Sequence, residues 1–256
     1  MKRFKQYLIL FSVIPFISAC EKQPELFKET AGLYFGVAEG QLSYSFAKYP
    51  KKLLDTIYVP VNILGDAAGT DRSISIDYVK AVDMDGLEGQ HFKLPEQAVM
   101  PANAYKTVVP VAVYRTADLE NKPVKFKLKV NQSDSFPGLG ITNQQTVIVN
   151  LAYMQQPANW GTLTGSLFAG YSTNFGTWTK TKYKVILDAL YDEEKGETIT
   201  EFPGTRSQPP VIYSQYLSIV RNYIRINYPG NYGGVGAKLL DPDANNQPVQ
   251  VGPANY

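Results

Sequence analysis

Val124-Lys125-Phe126-Lys127-Leu128-Lys129-Val130 alternates apolar and basic residues without a break. Successive side chains of a β-strand point to opposite faces. In extended form this segment therefore buries Val124, Phe126, Leu128 and Val130 and gives Lys125, Lys127 and Lys129 to water. One dry face and one wet face predict an antiparallel sheet covered on one side. The lysine row reads as a solvated face that also discourages edge-to-edge pairing; contact with a glycan or phosphate is its other reading.

The same period extends outward in both directions. Ile57, Val59, Val61 and Ile63 alternate with Tyr58, Pro60, Asn62 and Leu64. Ile74, Ile76 and Tyr78 alternate with Ser75, Asp77 and Val79, and Val109, Val111 and Val113 with Val108, Pro110, Ala112 and Tyr114. Val147, Val149 and Leu151 make a further strand. Turn signals at Gly65–Gly69, Asp85-Gly86 and Asn121-Lys122-Pro123 separate these segments. Many short strands with regular turns predict a mainly β protein. Residues 32–156 are expected to form an antiparallel β-sandwich of immunoglobulin or fibronectin type.

The period changes after the linker-like Gln155-Gln156-Pro157-Ala158-Asn159. Tyr183, Ile186, Leu187, Leu190 and Tyr191 lie on one helical face, in a helix expected between Thr177 and Gly196. A second helix is expected after Pro209-Pro210, with an apolar stripe of Tyr213, Tyr216, Leu217, Val220, Tyr223 and Ile224, stopping at Pro229-Gly230. Lys238–Gly252 reads as a hairpin around Asp241-Pro242-Asp243-Ala244-Asn245-Asn246. Residues 157–256 are thus a smaller α+β region of two helices and a hairpin.

The N-terminus reads as an address. Lys2, Arg3 and Lys5 precede a short apolar run from Tyr7 to Ile17, below the roughly 20 residues a spanning helix needs. The pattern is that of a signal peptide over residues 1–19. Ile17-Ser18-Ala19-Cys20 closely resembles a bacterial lipobox. The resemblance implies cleavage before Cys20, lipidation of its sulfur and acylation of the new amino group. Residues 20–31 would then be a lipidated linker. Glu21, in place of aspartate, leaves the usual inner-membrane retention signal absent, and the polar Glu21–Glu25 segment resembles export signals of Bacteroidetes surface lipoproteins. The expected location is the outer membrane, facing the cell exterior.

Composition bounds the chemistry. The 256 residues carry a formal charge of +2, one cysteine and one histidine. That excludes an internal disulfide and a Cys/His zinc cage. Loss of Lys2, Arg3 and Lys5 with the leader takes the charge from +2 to −1. A near-neutral chain does not suit nucleic-acid binding. No cofactor is expected.

Leu33-Tyr34-Phe35-Gly36, Ser45-Phe46-Ala47 and Asp55-Thr56-Ile57-Tyr58-Val59-Pro60-Val61 follow one another in an ordered pattern. Glu88-Gly89-Gln90-His91-Phe92, Pro101-Ala102-Asn103-Ala104-Tyr105 and Tyr114-Arg115-Thr116 continue it. The pattern resembles the Bacteroidetes lipoproteins catalogued as domain of unknown function 4843. Members often lie beside SusC/SusD-like nutrient importers. The resemblance therefore implies importer components or a polysaccharide as partners, and a role in capturing or importing polymers. Glu88–Tyr105 also resembles the Calx-beta and fibronectin-like sandwich pattern, without the acidic cluster of a calcium-binding Calx-beta domain.

The candidates for chemistry are few. His91 is the one imidazole available as a general base, but its position between Gln90 and Phe92 reads as a structural site in a strand. Ser45-Phe46-Ala47-Lys48 matches S-x-x-K but lies in a strand, where Ser and Lys cannot share a helical face. Gly230–Lys238 lacks the hydroxyl residue and helix of a phosphate loop. Asp241, Asp243 and Asn245 have the first spacings of a calcium loop, without the glycine and glutamate that complete it. Asp192-Glu193-Glu194 reads as a solvated helix end. Of 18 tyrosines, 10 fall from Tyr153 onward, together with both tryptophans. Trp160, Tyr171, Phe175 and Trp178, in a Gly/Ser/Thr-rich stretch, are candidates for an exposed ligand-binding platform. With no catalytic motif assembled, the chain is expected to be a non-catalytic binding or accessory module of a nutrient-uptake system. A structural or adhesive surface protein and a carboxylate-based hydrolase are the alternatives.

Overall fold

The computed structural model describes residues 30–157, 160, 175–200 and 212–252. The leader, Cys20 and Tyr171 lie outside the described residues, as does the side chain of Tyr213. In chain order the strands of the first part are β1 (Gly32–Phe35), β2 (Gln41–Ser45), β3 (Leu54–Leu64), β4 (Arg72–Ser73), β5 (Ile76–Val79) and β6 (Phe92–Lys93). They continue with β7 (Val99–Met100), β8 (Lys106–Tyr114), β9 (Val124–Val130), β10 (Gly138–Leu139) and β11 (Thr146–Ala152). Two sheets result, a five-stranded one in the order β10-β1-β3-β8-β6 and a four-stranded one in the order β2-β11-β9-β5.

The alternation read from the sequence sets the register. β3 and β8 run antiparallel from Leu54 opposite Tyr114 to Asn62 opposite Lys106. Their inward residues Val59, Val61, Val111 and Val113 are buried. Val124, Phe126, Leu128 and Val130 of β9 are buried too, while Lys125 and Lys129 are exposed. Phe92 of β6 and Phe126 of β9 stack across the sandwich with centroids 3.9 Å apart, and Tyr78 meets Phe92 edge-on at 5.2 Å. The Tyr78 hydroxyl, at the wet end of its ring, donates to the Gly86 carbonyl at 2.8 Å. One apolar interior, held by these rings, thus joins the two sheets.

Two pairings depart from the antiparallel expectation, since β1 with β10 and β2 with β11 run parallel. β1 and β2 are successive pieces of one stretch that switches sheets at Ala38–Gly40, where Glu39 and Gly40 take positive φ of 56° and 65°. Each joins a partner distant in sequence, so no tight hairpin has to connect them. Glycine permits the β1–β10 approach. A Cβ on Gly138 or Gly140 would collide with the carbonyl oxygen of Thr30 or Leu33 respectively.

Beyond the sandwich, α1 (Lys180–Ala189) starts where Thr179 Oγ1 accepts from Lys182 N at 3.2 Å. It is shorter than the sequence suggests. The Asp192 carboxylate accepts from the backbone N–H groups of Glu194 and Lys195, and Asp192 N bonds Glu197 O at 2.8 Å. That local side-chain turn competes with helix, so Asp192-Glu193-Glu194 forms a turn beyond the helix rather than its solvated end. α2 (Ile212–Asn227) buries Val220 and Ile224. Tyr216, Leu217 and Tyr223 pack against the same interior. β12 (Leu240–Asp241) and β13 (Gln247–Pro248) form the expected hairpin. Asn231 holds it: the buried amide donates to the Leu239 and Val249 carbonyls at 3.0 and 2.8 Å and accepts from Leu239 N at 2.8 Å. Buried apolar residues form one cluster from Leu33 to Val251. At its rim Thr198 N donates to Lys48 O and Thr198 Oγ1 to Leu187 O.

Candidate functional site

The aromatic candidates are interior residues. Trp160 and Phe175 are each 2% exposed, with centroids 6.2 Å apart. Tyr183 meets Trp160 edge-on at 6.0 Å, and Trp160 Nε1 donates to Gly176 O at 3.0 Å. Trp178 is half-buried against the same cluster. This corrects the expectation of an exposed platform for Trp160, Phe175 and Trp178. The apolar side of α1 needs large rings to cover it, and the polar small residues nearby in sequence say nothing about where those rings go.

The calcium candidate is corrected as well. Asp241 is buried, and its carboxylate accepts from Thr179 Oγ1 and, at 3.1 Å, from Asp243 N. Asp243 and Asn245 are exposed, and Asn245 sits at a positive-φ turn position. Asp241 therefore ties the hairpin to the start of α1. Among the described residues no group of three or more His, Cys, Asp or Glu could hold a metal ion.

His91 lies in the turn before β6 rather than within a strand. It is 2% exposed, with Nδ1 accepting from Leu87 N at 2.9 Å and Nε2 facing Asp118 Oδ2 at 2.9 Å. A backbone N–H on Nδ1 requires the proton on Nε2, which donates to the carboxylate. Interactions with Thr116 and His91 hold the Asp118 carboxyl below its ordinary range. A catalytic His–Asp pair leaves the second imidazole nitrogen for a nucleophile; here that nitrogen carries a turn. Ser45 ends β2, and its Oγ accepts from Ala47 N at 3.2 Å. Lys48 pairs with Glu197 at 3.2 Å. Ser45 and Lys48 therefore serve separate contacts.

What the sandwich presents to solvent differs between its two sheets. On the five-stranded sheet, Tyr58 pairs with Pro110 and Pro60 with Val108, which sets the side chains of Leu54, Tyr58, Val108 and Pro110 on one outer surface. Leu54 is 56% exposed, Tyr58 63% and Val108 51%. Beside them the Lys93–Glu96 loop walls an open groove of about 280 Å³, floored by Thr56, Pro110 and Ala112. Lys106, at the far end of β8, is the one charged residue at the outward positions of β3 and β8. On the four-stranded sheet the outward positions of β9 are Lys125, Lys127 and Lys129. Register places Asn150, Ile148 and Thr146 of β11 opposite them on one side, and Asp77 and Val79 of β5 on the other.

By alternation alone Tyr58 and Pro110 read only as the outward partners of buried residues. The signal that singles them out is that the outward positions of these two strands are themselves mostly apolar, with Thr56, Asn62 and Lys106 the polar exceptions, unlike those of β9.

A further structure at one end of the sandwich links the two sheets. Tyr44 of β2 donates to Asp55 Oδ2 of β3 at 2.5 Å, and Lys52 Nζ reaches the same oxygen at 2.9 Å. Burial, followed by the Asp55 contact, pushes the Tyr44 hydroxyl well above its ordinary range. Burial disfavours the Asp55 charge, but hydrogen bonds from Tyr44, Lys52 and Thr56 N outweigh it and hold the carboxyl below its ordinary value.

Residues 27–191 match the profile of Domain of unknown function (DUF4843). The chain belongs to that family. A protein of unknown function from Bacteroides ovatus is similar over 52% of this chain and 47% of its own length, at 14% identity and a TM-score of 0.38. The chain thus spans about half the length of that protein. The apo form of the Calx CBD1 domain is similar over 50% of this chain and 100% of its own, at 15% identity and a TM-score of 0.36. A comparison with curated proteins finds no match. Among the described residues no helix is long and apolar enough to cross a membrane.

Proposed function

We propose that this DUF4843 protein is a lipid-anchored outer-membrane lipoprotein facing the cell exterior, and a non-catalytic accessory module of a nutrient-uptake system. It docks on a protein of that system through the outer face of the five-stranded sheet. The observation that carries the reading is the exposed Leu54, Tyr58, Val108 and Pro110 on a face whose outward charges, Lys93 on the edge strand and Lys106 at the end of β8, stand at its rim. Aromatic and apolar residues with charges confined to the edge are the make-up of an interface centre. The strands of this sheet are 2, 4, 11, 9 and 2 residues long, and at about 3.4 by 4.8 Å per residue they give a flat footprint of roughly 450 Å². That is about half of the roughly 800 Å² each partner buries in a stable complex, so the loops beside the sheet must complete the interface. The lipobox at Cys20 supports the anchor, and the lineage of the family supports the importer as partner. The binding of His91 to a backbone N–H supports a role without catalysis.

The test is co-purification of the full chain with co-expressed SusC/SusD-like importer components. Tyr58→Asp and Val108→Asp are expected to abolish recovery of the importer while leaving the melting temperature unchanged. Recovery that survives both substitutions, or no recovery by the wild type, refutes the docking face. Cys20→Ala is expected to release the protein from membranes. Protease treatment of intact cells is expected to digest the wild type.

A further inference from the structure

The lysine row of β9 is not where a protective row belongs. Lysines that block aggregation sit on edge strands, yet β9 is interior to its sheet, hydrogen-bonded to β11 on one side and β5 on the other. The edge-protecting reading of these lysines is therefore corrected. Nor does folding require them. Lysine is depleted in strands, and threonine or glutamine would serve at an outward position.

Among the described residues none of Lys125, Lys127 and Lys129 has a carboxylate within ion-pair distance. Asp77 lies opposite Lys129, but its Oδ2 accepts from Asn131 Nδ2 at 2.7 Å. Asp85, near the start of the strand, is held by Lys122 Nζ at 2.7 Å and by Lys125 N. Three lysine side chains thus leave one strand at intervals of about 6.8 Å, with no carboxylate paired to them among the described residues.

We infer that this face binds a linear acidic polysaccharide laid along β9, its carboxylates or sulfates on Lys125, Lys127 and Lys129. The neighbouring strands decide between polyanions. Asn150 and Thr146 of β11, with Gln41 and Ser43 of β2 beyond them, add amides and hydroxyls that suit a hydroxylated chain. No aromatic residue occupies an outward position of β9, β11 or β2 beside the lysines, so nucleotide bases have nothing to stack on. The outward apolar residues beside the lysines, Ile148 and Val79, are only partly exposed, so this face lacks the large exposed apolar wedge of a membrane-surface site. The site is on the opposite sheet from the proposed docking face, and loss of either leaves the other intact.

The experiment is affinity electrophoresis of the full chain in non-ionic detergent, in native gels cast with polygalacturonate, chondroitin sulfate or neutral dextran. Retardation is expected in at least one acidic polymer and not in dextran, and it is expected to fade as salt is raised. Lys127→Gln is expected to weaken binding about fivefold, consistent with one charge contact. The triple Gln variant is expected to abolish it, and the triple Arg variant to restore it at an unchanged melting temperature. Three results overturn the inference: no retardation of the wild type, retardation of the triple Gln variant equal to wild type, or no rescue by the triple Arg variant. A fourth is a lysine-dependent preference for phosphatidylglycerol over phosphatidylcholine vesicles in a chain that ignores the polymers.

Discussion

Of the two faces the sandwich turns to water, that of β3 and β8 carries Leu54, Tyr58, Val108 and Pro110, and that of β9 carries Lys125, Lys127 and Lys129. Their inward sets are nearly interchangeable. Val59, Val111 and Val113 on one side meet Val124, Phe126 and Leu128 on the other, all buried. The core needs only the inward sets, so the contrast between the outward sets is not a product of folding. It teaches that in this chain the alternate residues of each strand answer to separate demands, one common to both sheets and one particular to each.

The largest test of that separation is to remove what the sheets share. Phe126→Ala deletes the ring stacked on Phe92 and is expected to cost about 3–5 kcal/mol in denaturant unfolding, with both faces lost together. A variant that lost one face while keeping the other would break the picture of a single core. His91→Ala is the next largest. It leaves Leu87 N without its acceptor at the β6 edge and is expected to cost about 1–3 kcal/mol. If His91 were instead a working base, the variant would keep its stability and lose an activity.

Tyr44→Phe cuts the tie between β2 and β3 and is expected to cost about 1 kcal/mol. Its sign with pH is fixed. The Asp55 carboxyl is depressed below its ordinary 3.8, so the stability it adds is complete above that value and is lost as pH falls through the lower folded pKa. The gap between wild type and Tyr44→Phe should therefore be widest above about pH 4 and close in stronger acid, as acid-unfolding midpoints can measure. A gap that widened in acid would overturn the assignment. Smallest of all, Val108→Thr and Lys127→Gln are each expected to change stability by less than about 0.5 kcal/mol. A larger loss from either would mean that its face helps hold the fold.

The sheets were legible because a period of two, once anchored on Val124–Val130, leaves little freedom in what is buried. The helices of residues 180–189 and 212–227 and the hairpin at Leu240–Pro248 followed from spacing and proline in the same way. The parallel pairings were not legible, since Gly138 and Gly140 reveal their role only once Thr30 and Leu33 lie beside them. Nor was the fate of Trp160 and Phe175, because composition around a ring does not report which surface it covers. The candidate faces were half legible. The lysines stand out in the sequence, but that β9 is an inner strand, which changes their meaning, depends on β5 arriving from far along the chain to close the side that β11 leaves open.

The placement of β1 has a mechanical consequence. An edge strand can be peeled away one hydrogen bond at a time. β1 is flanked by β3 on one side and β10 on the other, and Leu33 and Phe35 are buried beneath it. A load entering at Thr30 must therefore shear Gly32 and Leu33 from two neighbours at once and then drag two apolar side chains out of the interior. A chain held by its N-terminus in moving fluid would pull first on a strand clamped from both sides at Gly32 and Leu33.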